Sequence, residues 1–292
     1  MAHRPDLAAE AVAWYDANAR DLPWRTPEVT PWGVLVSEIM LQQTPVSRVL
    51  PAWRSWLARW PTPADLAADA PGEAIREWGR LGYPRRALRL HECAAALVAR
   101  HGGTVPADLD ALLALPGIGA YTARAVAAFA YRQRHPVVDT NVRRLAARVV
   151  TGTPDAGATT TVRDLDLVAS LLPDDAELAA RTSVAFMELG ALVCTARSPR
   201  CVACPLAGSC AFRASGQALP AGPSRRPQRY AGTDRQVRGL VMAVLRDTEE
   251  PVPRAHLDAV WPDAAQRQRA IEGLLSDGLV CEVGRNLFVL PR

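Results

Sequence analysis

Apolar residues recur at helical spacing along most of this chain. The pattern predicts helices over 7–19, 32–42, 47–60, 73–78, 84–100, 109–115, 120–131, 142–150, 162–172 and 177–193, separated by short Pro- and Gly-bearing turns. No convincing alternating strand pattern occurs before residue 275 and no repeat of fixed period is present, so the body reads as all-α. A Pro-, Gly- and Arg-rich stretch without periodicity, 214–233, reads as a linker. Beyond it, helical patterns at 235–246, 254–260 and 264–276 precede two short strands, 279–283 and 287–290, that turn at Gly284-Arg285-Asn286. Three helices and a two-stranded hairpin describe a small winged-helix-like module over 234–292.

Composition narrows the function classes. With 292 residues, 49% of them apolar and 22% charged, the chain can bury a real core and is not a disordered tail. Its longest apolar runs fall far short of the roughly 20 residues that span a bilayer. The start Met-Ala-His-Arg-Pro has no export-signal pattern, so a cytoplasmic protein is expected. The net charge is +4 and all 34 basic residues are arginine. Arginine suits bidentate phosphate contacts, whereas a chain without lysine has no side-chain amine to form a Schiff base.

Four of the six cysteines, Cys194, Cys201, Cys204 and Cys210, cluster in a loop broken by Pro199, Pro205 and Gly208. Four soft thiolates close a zinc site or hold an iron–sulfur cluster, and spacing alone does not choose. Cys93 and Cys281 stand apart and read as small core residues. Leu115-Pro116-Gly117-Ile118-Gly119 links two helices. It is either a Gly-capped turn or a hairpin whose backbone N–H groups seat a DNA phosphate. Asp139 precedes a helix and can serve as its N-cap, a role compatible with chemistry because the cap also orients the carboxylate. Glu38 is the lone carboxyl in a segment apolar nearly all round. Burial there raises a carboxyl's pKa toward what a general acid needs near neutrality, and an ion pair with an arginine is the alternative. Gln42, Gln43 and Thr44 are expected to continue that helix with a polar end able to reach DNA. Trp53, Trp56 and Trp60, at helical spacing, read as core; Tyr83, in a loop after Gly82, is placed to protrude and wedge into a duplex.

In this order, Ser37-Glu38-Ile39-Met40-Leu41-Gln42-Gln43-Thr44, Leu81-Gly82-Tyr83, the Leu-Pro-Gly-Ile-Gly hairpin, Val138-Asp139-Thr140-Asn141-Val142 and the spaced cysteines resemble the MutY-type adenine DNA glycosylases. These belong to the helix–hairpin–helix, iron–sulfur glycosylase superfamily, and the likeness covers about residues 5–213. It implies a two-lobed glycosylase core over 1–213, with a barrel lobe of about 26–135 and a cluster lobe of about 5–25 plus 136–213. It further implies a 4Fe–4S cluster on the four cysteines, Glu38 and Asp139 as the catalytic pair, and a base pocket with Arg20, Trp24, Arg25 and Tyr121. Tyr121 stands where bifunctional relatives carry a nucleophilic lysine, so a monofunctional enzyme is expected. Gln42, Gln43, Thr44, Tyr83, Gly117 and Gly119 would contact DNA. The expected substrate is adenine mispaired with 8-oxoguanine or guanine in double-stranded DNA, excised in base excision repair by a monomeric, nucleoid-associated enzyme. Asp139-Thr140-Asn141 replaces the family's Asp-Gly-Asn, Val184 stands where many relatives place a polar pocket residue, and 234–292 is too short for their Nudix-like domain. Two alternatives remain: a thymine or uracil mismatch glycosylase, and a non-catalytic, redox-sensing DNA-binding protein.

Overall fold

Helix-start chemistry sets most element boundaries in the computed structural model, which describes residues 6–157, 159–219 and 230–292. Asp6 caps α1 (Leu7–Asn18) by accepting from the Ala9 N–H at 3.0 Å. Then come α2 (Pro31–Leu41), α3 (Val46–Arg59), α4 (Pro63–Ala68), α5 (Pro71–Trp78), α6 (Arg85–His101) and α7 (Leu109–Leu113). They are followed by α8 (Ala120–Tyr131), α9 (Thr140–Ala146), α10 (Val162–Ala169), α11 (Ala176–Leu192) and α12 (Ala211–Ala214). The C-terminal module holds α13 (Asp234–Arg246), β1 (Val252–Pro253), α14 (Arg254–Asp258), α15 (Ala264–Ser276), β2 (Cys281–Glu282) and β3 (Leu287–Val289).

The fold is mostly helical, as the periodicity predicts, with local corrections. The sheet has three strands in the order β1-β3-β2 where two were expected, because Val252 pairs with Phe288. The added strand is only two residues long and contains a proline, which an edge position tolerates. The helix bearing Glu38 ends at Leu41, so Gln42–Thr44 form a turn and do not extend the helix. Gln43 sits there at φ +56°, a left-handed conformation that no helix continues through. Helix α4, absent from the periodicity reading, is held by a capping box in which Thr62 and Asp65 satisfy each other's backbone N–H groups. Of the linker expected over 214–233, residues 220–229 lie outside the described residues.

The chain divides into two compact units. One takes Met1–Glu38, Pro106–Ala114 and Ile118–Pro223, and the other Ile39–Val105, Leu115–Gly117 and Ser224–Arg292. In the first, Ala11, Val142, Leu145, Val149, Phe186, Leu189 and Val193 bring α1, α9 and α11 into one core. Gly190 of α11 allows the closest approach, since a Cβ there would lie 2.7 Å from the Asn141 carbonyl oxygen. In the second, Trp53, Trp56 and Trp60 are buried, and Trp56 packs edge-on against Trp60 and Trp78. The Gly72 N–H donates to the Pro291 carbonyl at 2.8 Å, and Arg76 reaches the carbonyls of Arg246 and Thr248, so the C-terminal module packs on α5. Among the described residues no helix is long and apolar enough to cross a membrane.

Candidate active site

Helix α2 presents Val34, Leu35, Val36, Ile39 and Met40 as core, and Glu38 is carried in with them at 6% exposure. Burial pushes its carboxyl up to about 7. A hydrogen bond from the Tyr121 hydroxyl and the charge of Arg25 oppose the rise, and the charge of Asp139 adds to it. Glu38 is therefore a buried acid that can hold a proton near neutrality. Tyr121, at the start of α8, is itself held well above the usual phenol range by burial, the two carboxylates and its bond to Glu38. Asp139 is the N-cap of α9: it accepts from the Asn141 and Val142 N–H groups at 2.9 and 2.7 Å, and from Asn141 Nδ2 at 2.8 Å. These bonds fix the carboxylate, so capping and orientation coincide.

A cavity of about 370 Å³, within the range of small-molecule sites, is lined by Trp24, Arg25, Val34, Ser37, Val184 and Met187 among others; Glu38 and Asp139 are not in its wall, although Ser37 precedes Glu38 on α2. Arg20 and Tyr121 are not in its wall. Sequence reasoning missed the residue that organises it. Glu188, fully buried on α11, accepts from Arg20 Nε and Nη2, both at 2.7 Å, and from Arg25 Nη2 at 2.8 Å. Burial pushes the Glu188 carboxyl up, but the bonds from Arg20 and Arg25 and the Arg25 charge outweigh it and hold it at about 2. The same signal that marks Glu38, a single acid in an apolar helical run, was available in Phe186-Met187-Glu188-Leu189. Arg25 Nη1 is buried without a hydrogen-bond partner among the described residues, which leaves a donor on a residue of the cavity wall.

The four clustered cysteines face one apolar pocket with Leu145, Val149, Val193 and Phe212. Burial and the neighbouring thiols push Cys204 up to about 11, so its sulfur needs a cation to stay ionised. Among the described residues no group of three or more His, Cys, Asp or Glu converges to hold a single ion. A 4Fe–4S cluster takes four thiolates, each on a separate iron, and four cysteines lining one apolar pocket are the donor set that such a cluster needs. Arginines of α9 and the turn after it fasten the loop: Arg144 Nε donates to the Cys194 carbonyl at 2.7 Å, and Arg148 Nη1 to Thr195 O at 2.7 Å. Arg200, Arg197 and Arg213 are all exposed, and Arg200 donates to Leu192 O at 2.6 Å.

The DNA-contact candidates fall on several elements. Tyr83 is 49% exposed at φ +48°. Arg86 ties its loop to the Gln42–Thr44 turn, donating to the carbonyls of Ile39, Met40, Gln42 and Gly82 and to Thr44 Oγ1. Thr44 is thus buried and engaged. Gly117 adopts φ +76°, where a side chain would be strained and would meet Arg89. Gly119 opens α8 without a side-chain cap, leaving that helix start to its backbone N–H groups.

Comparison with known proteins places this architecture. The model of the HhH-GPD superfamily of base excision DNA repair proteins matches residues 36–169, and that of the iron–sulfur binding domain of endonuclease III matches 194–210. The adenine DNA glycosylase of Mycolicibacterium smegmatis is 59% identical over 283 residues, covering 96% of this chain and 94% of that one. A thymine/uracil-DNA glycosylase of Pyrobaculum aerophilum is 38% identical over 69% of this chain and 89% of its own. The solved structure of a thermostable thymine-DNA glycosylase superposes with a TM-score of 0.66 at 25% identity, covering 73% of this chain and 97% of that one. The chain belongs to the adenine DNA glycosylase family of the HhH-GPD superfamily. It is a DNA glycosylase of base excision repair with a 4Fe–4S cluster, and its partner is DNA.

Proposed function

We propose that this protein hydrolyses the N-glycosidic bond of adenine mispaired with 8-oxoguanine or guanine in double-stranded DNA, acting as a monomer on the nucleoid in the cytoplasm. The observation that carries the reading is the pairing of Glu38, raised to about 7, with a capped Asp139 whose charge it feels. The adenine must leave the stack before any side chain reaches it. Tyr83 fills the gap and the Gly117–Gly119 hairpin grips the backbone. Arg25 lines the base cavity with Trp24, and the Arg25 donor left unpartnered binds an acceptor on the base edge. Glu38 passes its proton to adenine N7. The C1′–N9 bond then breaks with its electron pair going to the base, and the positive charge at C1′ faces Asp139 until water adds there and loses a proton. The division of labour between two carboxyls matches that at other glycosidic bonds. Cys194, Cys201, Cys204 and Cys210 hold the cluster, which fixes the loop bearing Arg197 and Arg213 against phosphates.

The chain has no lysine, so the product is an intact abasic strand. Duplexes carrying adenine opposite 8-oxoguanine, guanine and cytosine, with thymine and uracil mismatches beside them, test the specificity. Faster release of thymine or uracil than of adenine would favour the second reading, which the Pyrobaculum relative and Val184 in the cavity wall support. Borohydride should trap no enzyme–DNA adduct; efficient trapping would overturn the hydrolytic assignment.

A further inference from the structure

Arg235, exposed near the start of α13, is the cation whose surroundings the proposed reaction leaves unexplained. Its guanidinium lies 5.6 Å from the centre of the Tyr83 ring and 5.8 Å from that of Tyr230. Both rings are about half exposed, at 49% and 52%. Its neighbour Asp234 is occupied by Arg269 at 3.3 Å, and Arg235 has no carboxylate partner among the described residues. Arg86 lies 5.5 Å from the same Tyr83 ring, so the protruding tyrosine is flanked by one guanidinium from the first turn of α6 and one from the C-terminal module.

Polar contacts tie the module to the rest of its unit. Besides the Gly72–Pro291 and Arg76 bonds, Arg85, two residues after Tyr83, pairs with Asp277 at 3.3 Å, and Asp277 also pairs with Arg238 on α13. Of the module's other arginines, exposed Arg269 pairs with Asp234 and half-buried Arg254 with Asp258 at 3.0 Å. A guanidinium stacked on rings keeps its in-plane N–H donors free, and that edge is suited to a phosphate. Exposed aromatic faces interleaved with an unpaired cation form the surface that nucleic acid takes.

We propose that the C-terminal module is part of the DNA-binding surface, with Arg235 binding a backbone phosphate and Tyr230 packing on the strand beside the position where Tyr83 enters the duplex. The proposal rests on reading Tyr83 as the wedge. It gives residues 230–292 a role in recognition, and the alignment with the mycobacterial enzyme, over 96% of this chain, runs through most of that module.

The test uses the full-length, cluster-loaded protein and fluorescence anisotropy on a duplex carrying adenine opposite 8-oxoguanine, at several salt concentrations. Arg235→Ala should weaken binding roughly 3- to 10-fold and Arg235→Glu roughly 10- to 100-fold, with the slope of log affinity against log salt reduced by about one for the alanine variant. Arg285→Glu, at the exposed hairpin turn of the same module, makes the same charge change and should stay within about twofold of wild type. Equal losses for Arg285→Glu and Arg235→Glu would mean that net charge, and not this site, is read, and would overturn the proposal. Arg235→Glu binding like wild type while Tyr83→Ala loses affinity would overturn it and leave the wedge standing. If neither change matters, both the proposal and the wedge reading fall.

Discussion

Glu38 and Glu188 begin from the same sequence circumstance and end with opposite chemistry. Each is the single acid in an apolar helical stretch, and each is buried, at 6% and 0% exposure. Yet Glu38 sits at about 7 and Glu188 at about 2. Burial raises both. The difference lies in the partners: two arginines donate three side-chain hydrogen bonds to Glu188, whereas Glu38 receives the Tyr121 hydroxyl and has a second carboxylate nearby. Burial makes a carboxyl's charge expensive, and the donors around it decide whether the charge is kept. One acid is left able to give a proton, and the other is spent holding two cations in place.

The sharpest break of this contrast is Glu38→Gln. A carboxamide keeps the shape and loses the proton donor, so single-turnover release of adenine should fall on the order of 10²–10⁴-fold or more, with mismatch binding nearly intact. Near-wild-type release by this variant would remove Glu38 from the role of acid. Glu188→Gln should fail differently. It strands Arg20 and Arg25, with 35% and 17% of their side chains exposed, and should cost on the order of 3 kcal/mol in denaturant unfolding at pH 7. Because the folded-state pKa of Glu188 is depressed, its stabilisation is present above about 4.5 and is lost as pH falls toward about 2. The wild type should lose stability across that window, and Glu188→Gln should not show that loss.

How much of this the sequence made legible follows from the range of each interaction. Glu38 and Asp139 were readable because their cues are local: an apolar helix around one, a helix start after the other. Glu188 carries a local cue as well, but its meaning depends on Arg20 and Arg25, more than 160 positions away. Nothing in the sequence pairs them. The Gln42–Thr44 turn escaped for a similar reason, since Arg86 caps the end of α2 from a distance of over 40 residues and lets Gln43 take its left-handed conformation. The tight contact of Gly190 with Asn141 likewise appears only once α9 and α11 cross. Gly190→Ala should push the first turn of α9 aside, carry Asp139 with it, and lower both base release and thermal stability.

The pH profile sharpens the comparison further. Glu38 works as an acid only while protonated, so base release measured at saturating enzyme should be level below about pH 7 and fall by up to tenfold per unit above it. Stability obeys the same sign: the folded-state pKa exceeds the ordinary carboxyl value, so the protein loses stability as pH rises from about 4.5 through about 7. Glu38→Gln should not show that loss and should therefore gain on wild type by roughly 1–3 kcal/mol at pH 8. A flat rate profile across pH 6 to 9 would show that the proton comes from elsewhere.

The smallest expected effect isolates the Tyr121 hydroxyl that faces Glu38. The Tyr121 hydroxyl stabilises the ionised form of Glu38 and so holds its pKa below the level that burial alone would set. Tyr121→Phe removes that hydroxyl and keeps the ring. A hydrogen bond to a charged acceptor is worth roughly 1.5 kcal/mol at the low end of its range, so the alkaline limb should move upward by about one pH unit. The direction matters more than the size. A second arginine in place of this weak donor would drive Glu38 the way Glu188 has gone, and losing the donor should drive it the other way. If the limb of Tyr121→Phe moves to lower pH, the hydroxyl is not restraining Glu38, and the account of why these two buried glutamates differ fails at its central step.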